Sequence, residues 1–172
     1  MSLGEDITQQ KPAKEALIQE KGRKLTKQIK REIQCLCGAY FEATLYTSVN
    51  VQLNPVLKEE LLDGRLNLVT CSECGREQHV EIPLLYHDME RRIAIQVFPE
   101  ERKDQAAEIV KEAEDMATIM KALLSGRFSE HGGSPRAVKR ITDYFDYLAN
   151  PHIVFGLDEL AQLVAQLEGE NH

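Results

Sequence analysis

The grouping of the four cysteines restricts the fold of this chain more than any other feature of its sequence. They fall in two close pairs, each followed by a glycine: Cys35-Leu36-Cys37-Gly38 and Cys71-Ser72-Glu73-Cys74-Gly75. Two thiolates this close together at a tight turn can share one metal ion, and the glycine lets the backbone make that turn. The sequence therefore predicts a fold in which two distant turns meet.

Four thiolates in a tetrahedral array are typical of zinc, and also of iron in a rubredoxin-like site. We predict a metal site formed by Cys35, Cys37, Cys71 and Cys74, with zinc as the metal and iron as the alternative. Because four protein ligands leave no position for water or substrate, a zinc ion here would be structural. His79 and His87 are possible substitute ligands if the first pair cannot reach the ion.

A redox dithiol at Cys71 and Cys74 is a further alternative. In thioredoxin-like proteins that motif lies between a strand and a helix, whereas here the pattern after Gly75 predicts a strand. We therefore favour the metal site.

The single residue between Cys35 and Cys37 sets a geometric condition. In an extended strand, residues two apart lie about 6.6 Å from each other. Around one zinc ion, with Zn–S distances near 2.3 Å, the sulfur atoms are only about 3.8 Å apart. We therefore expect the chain to bend at Leu36, with Gly38 assisting.

Periodicity predicts strands around the cysteines and helices after Pro99. Residues 40–51 alternate between apolar and polar side chains, and residues 93–97 place three apolar side chains on one face. A short helix is expected after Asn54, a suitable cap, ending at Gly64. A period near 3.6 over residues 105–125 predicts a helix that starts at Asp104 and ends at Gly126. Ser134-Pro135 opens a second helix, and residues 157–169 form a third.

Strands followed by helices, without alternation, indicate an α+β fold. We divide the chain into a basic, partly flexible arm (residues 1–28), a four-cysteine β domain (29–100) and a helical extension packed on it (101–172).

Charge is distributed unevenly, although the net charge is −7. Residues 10–31 hold eight Lys and Arg against two Glu, whereas residues 32–172 hold 13 basic and 24 acidic residues. The acidic body argues against nonspecific nucleic-acid binding, which requires neutralised phosphates.

No apolar run approaches the roughly 20 residues of a membrane span, and no secretory leader is evident, so we expect a cytoplasmic protein.

No catalytic motif is present among the common phosphate-loop, zinc-protease or nucleophile-elbow patterns. His87 and Asp88 are neighbours that could take part in acid–base chemistry, but a polar connection between strands predicts the same residues. The His131–Ser134 stretch "HGGS" is interpreted as a loop and helix cap.

Residues 33–99 resemble the CpXC domain of bacteria and archaea. The resemblance includes both cysteine pairs with their glycines, the "SVNV" strand, the "NPVLKEELLDGRLN" helix and "PLLYHDMERR" before an apolar strand. The first pair is one residue shorter than the family's Cys-Pro-x-Cys pattern, and both pairs lack its proline. The resemblance implies a small antiparallel, zinc-ribbon-like β unit but no known activity.

Together these observations predict a non-enzymatic module, stabilised by structural zinc, that binds a protein partner or a second copy of itself. Two alternatives stay open: a nucleic-acid-binding zinc ribbon that uses the basic arm, and a rubredoxin-like iron electron carrier.

Overall fold

The computed structural model describes residues 26–130 and 134–169 of the chain. Nearly all of the predicted basic arm and most of the "HGGS" stretch therefore lie outside the described residues. The elements follow in this order: β1 Gln28–Gln34, β2 Tyr40–Tyr46, β3 Ser48–Asn50, α1 Pro55–Leu62, β4 Leu68–Thr70, β5 Glu77–His79, β6 Leu84–Asp88, β7 Ile93–Phe98, a 3₁₀ helix Glu100–Gln105, α2 Ala106–Glu130, α3 Pro135–Ala149, β8 His152–Phe155 and α4 Leu157–Gly169.

The strands form three sheets. Two are antiparallel hairpins, β1–β2 and β4–β5, and the third has four strands in the order β3-β6-β7-β8. In this larger sheet β6 and β7 are antiparallel, whereas β3 pairs with β6 and β8 pairs with β7 in parallel. The fold is α+β, as the order of elements predicted.

The main core lies between one face of the four-stranded sheet and helices α1 and α4. Alternate strand residues point to opposite faces, and the inward set is apolar. The cluster consists of Val49, Leu57, Leu61, Leu66, Leu84, Tyr86, Ile95, Val97, Val154, Leu160 and Val164. On the opposite face, Phe98 of β7 and Ile109 of α2 line an apolar cavity of about 590 Å³ that also borders the end of α3. The sheet is thus covered by helices on both faces.

A second, smaller core lies beneath the two hairpins. Its buried members are Ala43, Leu45, Val69 and Ile82, with Ile29, Ile33, Phe41 and Val80 packed around them. Leu45 is fully buried although it belongs to a two-stranded ribbon, because β4 and the segment after β5 cover the inner face. This core holds the hairpins, and therefore their turns, against each other.

The predicted strand over residues 40–51 is divided at Thr47. The Thr47 N–H donates to the Lys27 carbonyl, while the Thr47 carbonyl accepts from the Leu85 N–H. The chain therefore leaves the β1–β2 ribbon at this residue and joins the larger sheet as β3. The alternation of apolar and polar residues continues past Thr47, so the sequence pattern does not indicate where the chain moves from one sheet to the other.

Helix α2 extends four residues beyond Gly126, its predicted end. A Cβ atom at Gly126 would meet nothing within 4 Å, so the helix passes through an exposed, uncrowded position. Glycine inside a helix costs only about 1 kcal/mol relative to alanine, which a long helix tolerates.

Helix α1 starts after Asn54 as predicted, but the Asn54 side chain makes no capping bond. Both of its polar atoms are buried without a hydrogen-bond partner among the described residues.

The C-terminal elements complete the main sheet. Strand β8 pairs with β7, and Leu160 and Val164 of α4 are buried in the main core. The domain boundary near residue 100 stays a prediction, because these contacts join both sides of it. Among the described residues, no helix is long and apolar enough to cross a membrane.

Candidate metal centre

The first cysteine pair lies in the turn of the β1–β2 hairpin. The Cys35 N–H donates to the Ala39 carbonyl at 2.8 Å, and the Gly38 N–H donates to the Cys35 carbonyl at 2.8 Å. Gly38 has φ +92°, in the left-handed region. The bend expected at Leu36 is confirmed, because Cys35, Leu36, Cys37 and Gly38 form a tight turn.

The second pair lies in the turn of the β4–β5 hairpin and has a matching bonding pattern. The Cys71 N–H donates to the Arg76 carbonyl, and the Gly75 N–H donates to the Cys71 carbonyl, both at 2.9 Å. Gly75 also has a positive φ, +69°. In each turn the carbonyl of the first cysteine accepts a hydrogen bond from the glycine N–H. The first turn therefore has the same bonding pattern as the second, with one residue fewer.

The four predicted ligands are brought together. The sulfur atoms of Cys35, Cys37, Cys71 and Cys74 all lie within 4.8 Å of one another. Two of the separations between the hairpins are Cys35 Sγ to Cys74 Sγ at 3.6 Å and Cys37 Sγ to Cys71 Sγ at 3.8 Å. Tetrahedral sulfur ligands around one zinc ion would be about 3.8 Å apart. The cluster could therefore hold a metal ion.

The two hairpins cover one cysteine of each pair and expose the other. Cys35 and Cys71, the first residues of each pair, are buried at 3% and 1% exposure. Cys37 and Cys74 face solvent. Leu36, between the first two ligands, is 84% exposed and packs against neither core. Each pair therefore has an inner cysteine covered by protein and an outer cysteine that faces solvent.

Proton binding within the cluster is unequal. Backbone N–H groups of Cys74 and Glu73 hydrogen bond to the Cys71 sulfur and lower the pKa of its thiol to about 7, although burial opposes them. The Arg76 N–H lowers the pKa of Cys74, but the neighbouring sulfur of Cys37, burial, and the sulfurs of Cys35 and Cys71 together raise it to about 11. One negative charge forms readily at Cys71, and further thiolates so close together require a cation to balance them.

The histidines considered as substitute ligands lie elsewhere. His79 is in β5 and borders a separate pocket near α1 and α4. His87 lies in β6, where its Nε2 is 2.7 Å from the Tyr147 hydroxyl. Among the described residues, the cluster that could hold a metal consists of cysteines.

His87 and Asp88 are divided between the two faces of the sheet, because consecutive strand residues point in opposite directions. Asp88 is buried; its Oδ1 accepts from the Gln52 amide at 2.7 Å and from the Arg91 N–H at 3.1 Å. His87 instead contacts Tyr147 and Asn50. The two side chains therefore belong to separate hydrogen-bond networks on opposite faces of the sheet. The Tyr147 contact was not predicted, since no local pattern connects residues sixty positions apart.

The fold and the cluster together define an α+β protein with a candidate four-cysteine metal centre at the meeting point of two hairpins. The family model described as CpXC protein matches residues 33–165, which covers most of the chain and includes α2, α3 and β8. The chain belongs to the CpXC family, which confirms the resemblance seen in residues 33–99. No curated protein and no solved structure gives a significant match.

Proposed function

We propose that this chain is a non-enzymatic protein-interaction module in which Cys35, Cys37, Cys71 and Cys74 hold a structural zinc ion. The observation that carries the proposal is the sulfur geometry: two sulfur pairs between the hairpins, at 3.6 and 3.8 Å, match the roughly 3.8 Å expected for ligands of one tetrahedral ion. A zinc ion would then add a direct link between two hairpins that meet at a small core and at the hydrogen bond from the Gln78 amide to the Gln34 carbonyl.

The donor set supports a structural role. Four cysteine ligands fill a tetrahedral zinc site and leave no position for a substrate or reactive water. Binding requires the thiols to lose their protons, and the backbone N–H groups around Cys71 favour this by lowering the pKa of its thiol to about 7. The energy of metal binding would thus contribute to folding of the β1–β2 and β4–β5 hairpins.

Exposed apolar side chains support the interaction role. Leu36 and Tyr40 project from the hairpin that carries the first pair. Helix α2 exposes a second group, Met116, Ile119 and Leu123, each more than half accessible. Contiguous exposed apolar surface on a soluble protein often marks a binding site. We place the module in the cytoplasm, where cysteines stay reduced and available to a metal.

Elemental analysis combined with native mass spectrometry tests the metal assignment. We expect about one zinc ion per chain, since four thiolates complete one tetrahedral site. One iron per chain, with the red colour of an iron–tetrathiolate centre, would instead support the electron carrier. Well-folded protein that binds neither metal from a zinc- or iron-containing buffer would contradict the proposal.

Cys74→Ser tests the structural role of the metal. Because one thiolate is lost from the tetrahedral set, we expect zinc content to fall several-fold and the melting temperature to drop by about 10 °C. Ser72→Ala is the matched control, since it changes an exposed side chain in the same turn without removing a sulfur ligand. Unchanged melting temperature and zinc content in the Cys74 variant would exclude a structural zinc site.

A further inference from the structure

Helix α2 exposes apolar side chains along one side. Among the described residues, five of the ten exposed large apolar side chains lie on this helix: Val110, Met116, Ile119, Met120 and Leu123. Met116 and Met120 are four residues apart, as are Ile119 and Leu123, so the two pairs form neighbouring rows on the helix surface. Ile119 and Leu123 are 54% and 60% exposed, and we call this pair the ridge.

An apolar groove lies beside the ridge. It is the cavity of about 590 Å³ described above, and its α2 wall extends from Ile109 to Met120. Phe98 of β7 and Leu148 near the end of α3 border it on the other sides. The ridge residues lie outside its lining. One side of α2 therefore presents a projecting apolar row next to an apolar recess.

We propose that two copies of this chain associate through α2, with the helices antiparallel and the ridge of each copy in the groove of the other. A two-fold interface must be self-complementary, since a residue that contacts a given position on the second copy is itself contacted there in return. A ridge and a groove side by side on one surface meet this condition. The inference rests on the proposed interaction role and names the partner, which is a second copy of this chain.

Charge favours the antiparallel direction. Glu112 is the charged side chain among the described residues that line the groove. In a parallel pair the two Glu112 carboxylates would lie at the same level and repel each other. In an antiparallel pair centred between Ile119 and Met120 they would lie about 15 positions apart, which is about 22 Å along the helix. That distance exceeds the Debye length of about 8 Å at physiological ionic strength, so the repulsion is screened.

The available area indicates a dimer of moderate affinity. A helix with the 25 residues of α2 is about 37 Å long and about 10–12 Å wide, so one face covers roughly 400 Å² on each copy. The walls of the groove add to this surface and bring the total for two copies to about 1,000 Å², the lower limit for a specific interface. We therefore expect the dimer to dissociate in the micromolar range.

Sedimentation velocity of full-length, zinc-loaded protein tests the association. Between about 1 and 300 µM we expect a concentration-dependent change from monomer to dimer. Wild-type protein that stays monomeric over this whole range would overturn the proposal. Species larger than a dimer would overturn it as well, because a two-fold interface closes after two copies.

Ile119→Glu and Ala122→Glu form a matched pair, since each adds one negative charge at an exposed position of α2. Residue 119 belongs to the ridge, whereas residue 122 lies on another side of the helix. We expect Ile119→Glu to weaken the dimer at least about ten-fold and Ala122→Glu to leave it within about two-fold. Equal losses in the two variants, or an unaffected Ile119 variant, would contradict pairing through the ridge.

A mixing experiment tests the direction of the helices. In the antiparallel pair Met116 faces Leu123 of the second copy, so Met116→Lys and Leu123→Glu should each be monomeric alone. An equimolar mixture should form a mixed dimer, because the new lysine then faces the new glutamate while the wild-type Leu123 and Met116 still meet. In a parallel pair Met116 would face Met116, and mixing would restore nothing. Two monomeric variants that stay monomeric when mixed would overturn the antiparallel pairing.

Zinc content and melting temperature are measured on the same samples. If the wild type holds one zinc ion and stays folded but does not dimerise, the self-association proposal is wrong and the structural-zinc proposal stands. If the wild type holds no metal, the structural-zinc proposal is wrong whether or not the protein dimerises. A variant counts as a test of the ridge when its melting temperature matches that of the wild type.

Discussion

At the residue scale, the cluster depends on two glycines as much as on the cysteines. Gly38 and Gly75 have φ +92° and +69°, a region that costs L-residues about 1–2 kcal/mol. The N–H of each glycine donates to the carbonyl of the first cysteine of its pair, Cys35 or Cys71. This bond closes the turn and turns the second cysteine back toward the first.

Gly75→Ala is expected to lower the free energy of unfolding by about 1 kcal/mol and to weaken metal binding. Gly126→Ala, at an exposed position in the C-terminal part of α2, should raise the free energy of unfolding by about 0.5–1 kcal/mol. A Cβ atom would meet nothing within 4 Å at either position, so only the backbone angle separates the two cases. Urea unfolding of both variants measures the difference. Equal effects would show that the left-handed turn does not matter.

Much of the candidate site was predictable from single residues. Cysteine spacing and the following glycines indicated two turns and one shared site, and the bend at Leu36 followed from sulfur–sulfur distances. The burial of Cys35 and Cys71, with Cys37 and Cys74 exposed, was not predictable. It depends on how the small core beneath the hairpins orients the two turns, which no local pattern records.

At the element scale, His87 connects the sheet to α3. Its Nε2 lies 2.7 Å from the Tyr147 hydroxyl, and the two rings stack at 5.6 Å. The Asn50 Oδ1 accepts the Leu53 N–H, so the Asn50 amide nitrogen faces His87 Nδ1 at 3.4 Å. Nδ1 is therefore an acceptor, and the neutral ring donates its Nε2 proton to Tyr147. Above Tyr147, the Arg92 guanidinium lies 5.7 Å from the ring centre.

Stability should consequently fall as the pH drops below about 6.5, the ordinary pKa of histidine. Burial lowers the pKa of His87, and Asp88 opposes that shift only in part. The unfolded chain then binds the proton more readily than the folded one, so protonation favours unfolding. Urea unfolding at pH 7.5 and 5.5 should show a smaller decrease for His87→Gln than for the wild type. Loss of a bound metal ion at low pH would affect both proteins alike, so equal decreases would contradict this role.

Element types were largely predictable, whereas their partners were not. The alternating pattern over residues 40–51 indicated strand, and the structure confirms strand on both sides of Thr47. The transfer from one sheet to another at that residue depends on Lys27 and Leu85, which lie far away in sequence. No local sequence pattern predicted the parallel pairing of β3 with β6 either.

At the scale of the whole molecule, the main sheet is completed by the last third of the chain. Strand β8 pairs with β7, and the main core includes Val154 from β8 with Leu160 and Val164 from α4. The sequence indicated strands before residue 100 and helices after it, and this general order is confirmed. It also predicted that the helical part packs on the β domain, but it did not indicate that β8, which has only four residues, would complete the main sheet.

A fragment ending at residue 100 is expected not to fold cooperatively, even with zinc. In this fragment β7 would become an edge strand and α4 would be missing from the main core. The resulting loss of stability would be much larger than the few kcal/mol by which domains are stable. The ¹⁵N spectrum and thermal unfolding of residues 26–100 test this against the full chain. A dispersed spectrum and a sharp transition in the fragment would show that the β domain is independent.

The unequal exposure of the four cysteines would affect two separate properties of a bound ion: how tightly it is held and how quickly it is exchanged. Cys35 and Cys71 are covered by protein, while Cys37 and Cys74 face solvent. An incoming chelator or competing thiol would approach from that face and displace the outer ligands first. Affinity would reflect all four sulfurs, whereas the lifetime of the bound ion would be governed mainly by two. Such a centre can be thermodynamically stable and still pass its ion to an acceptor that reaches the open side.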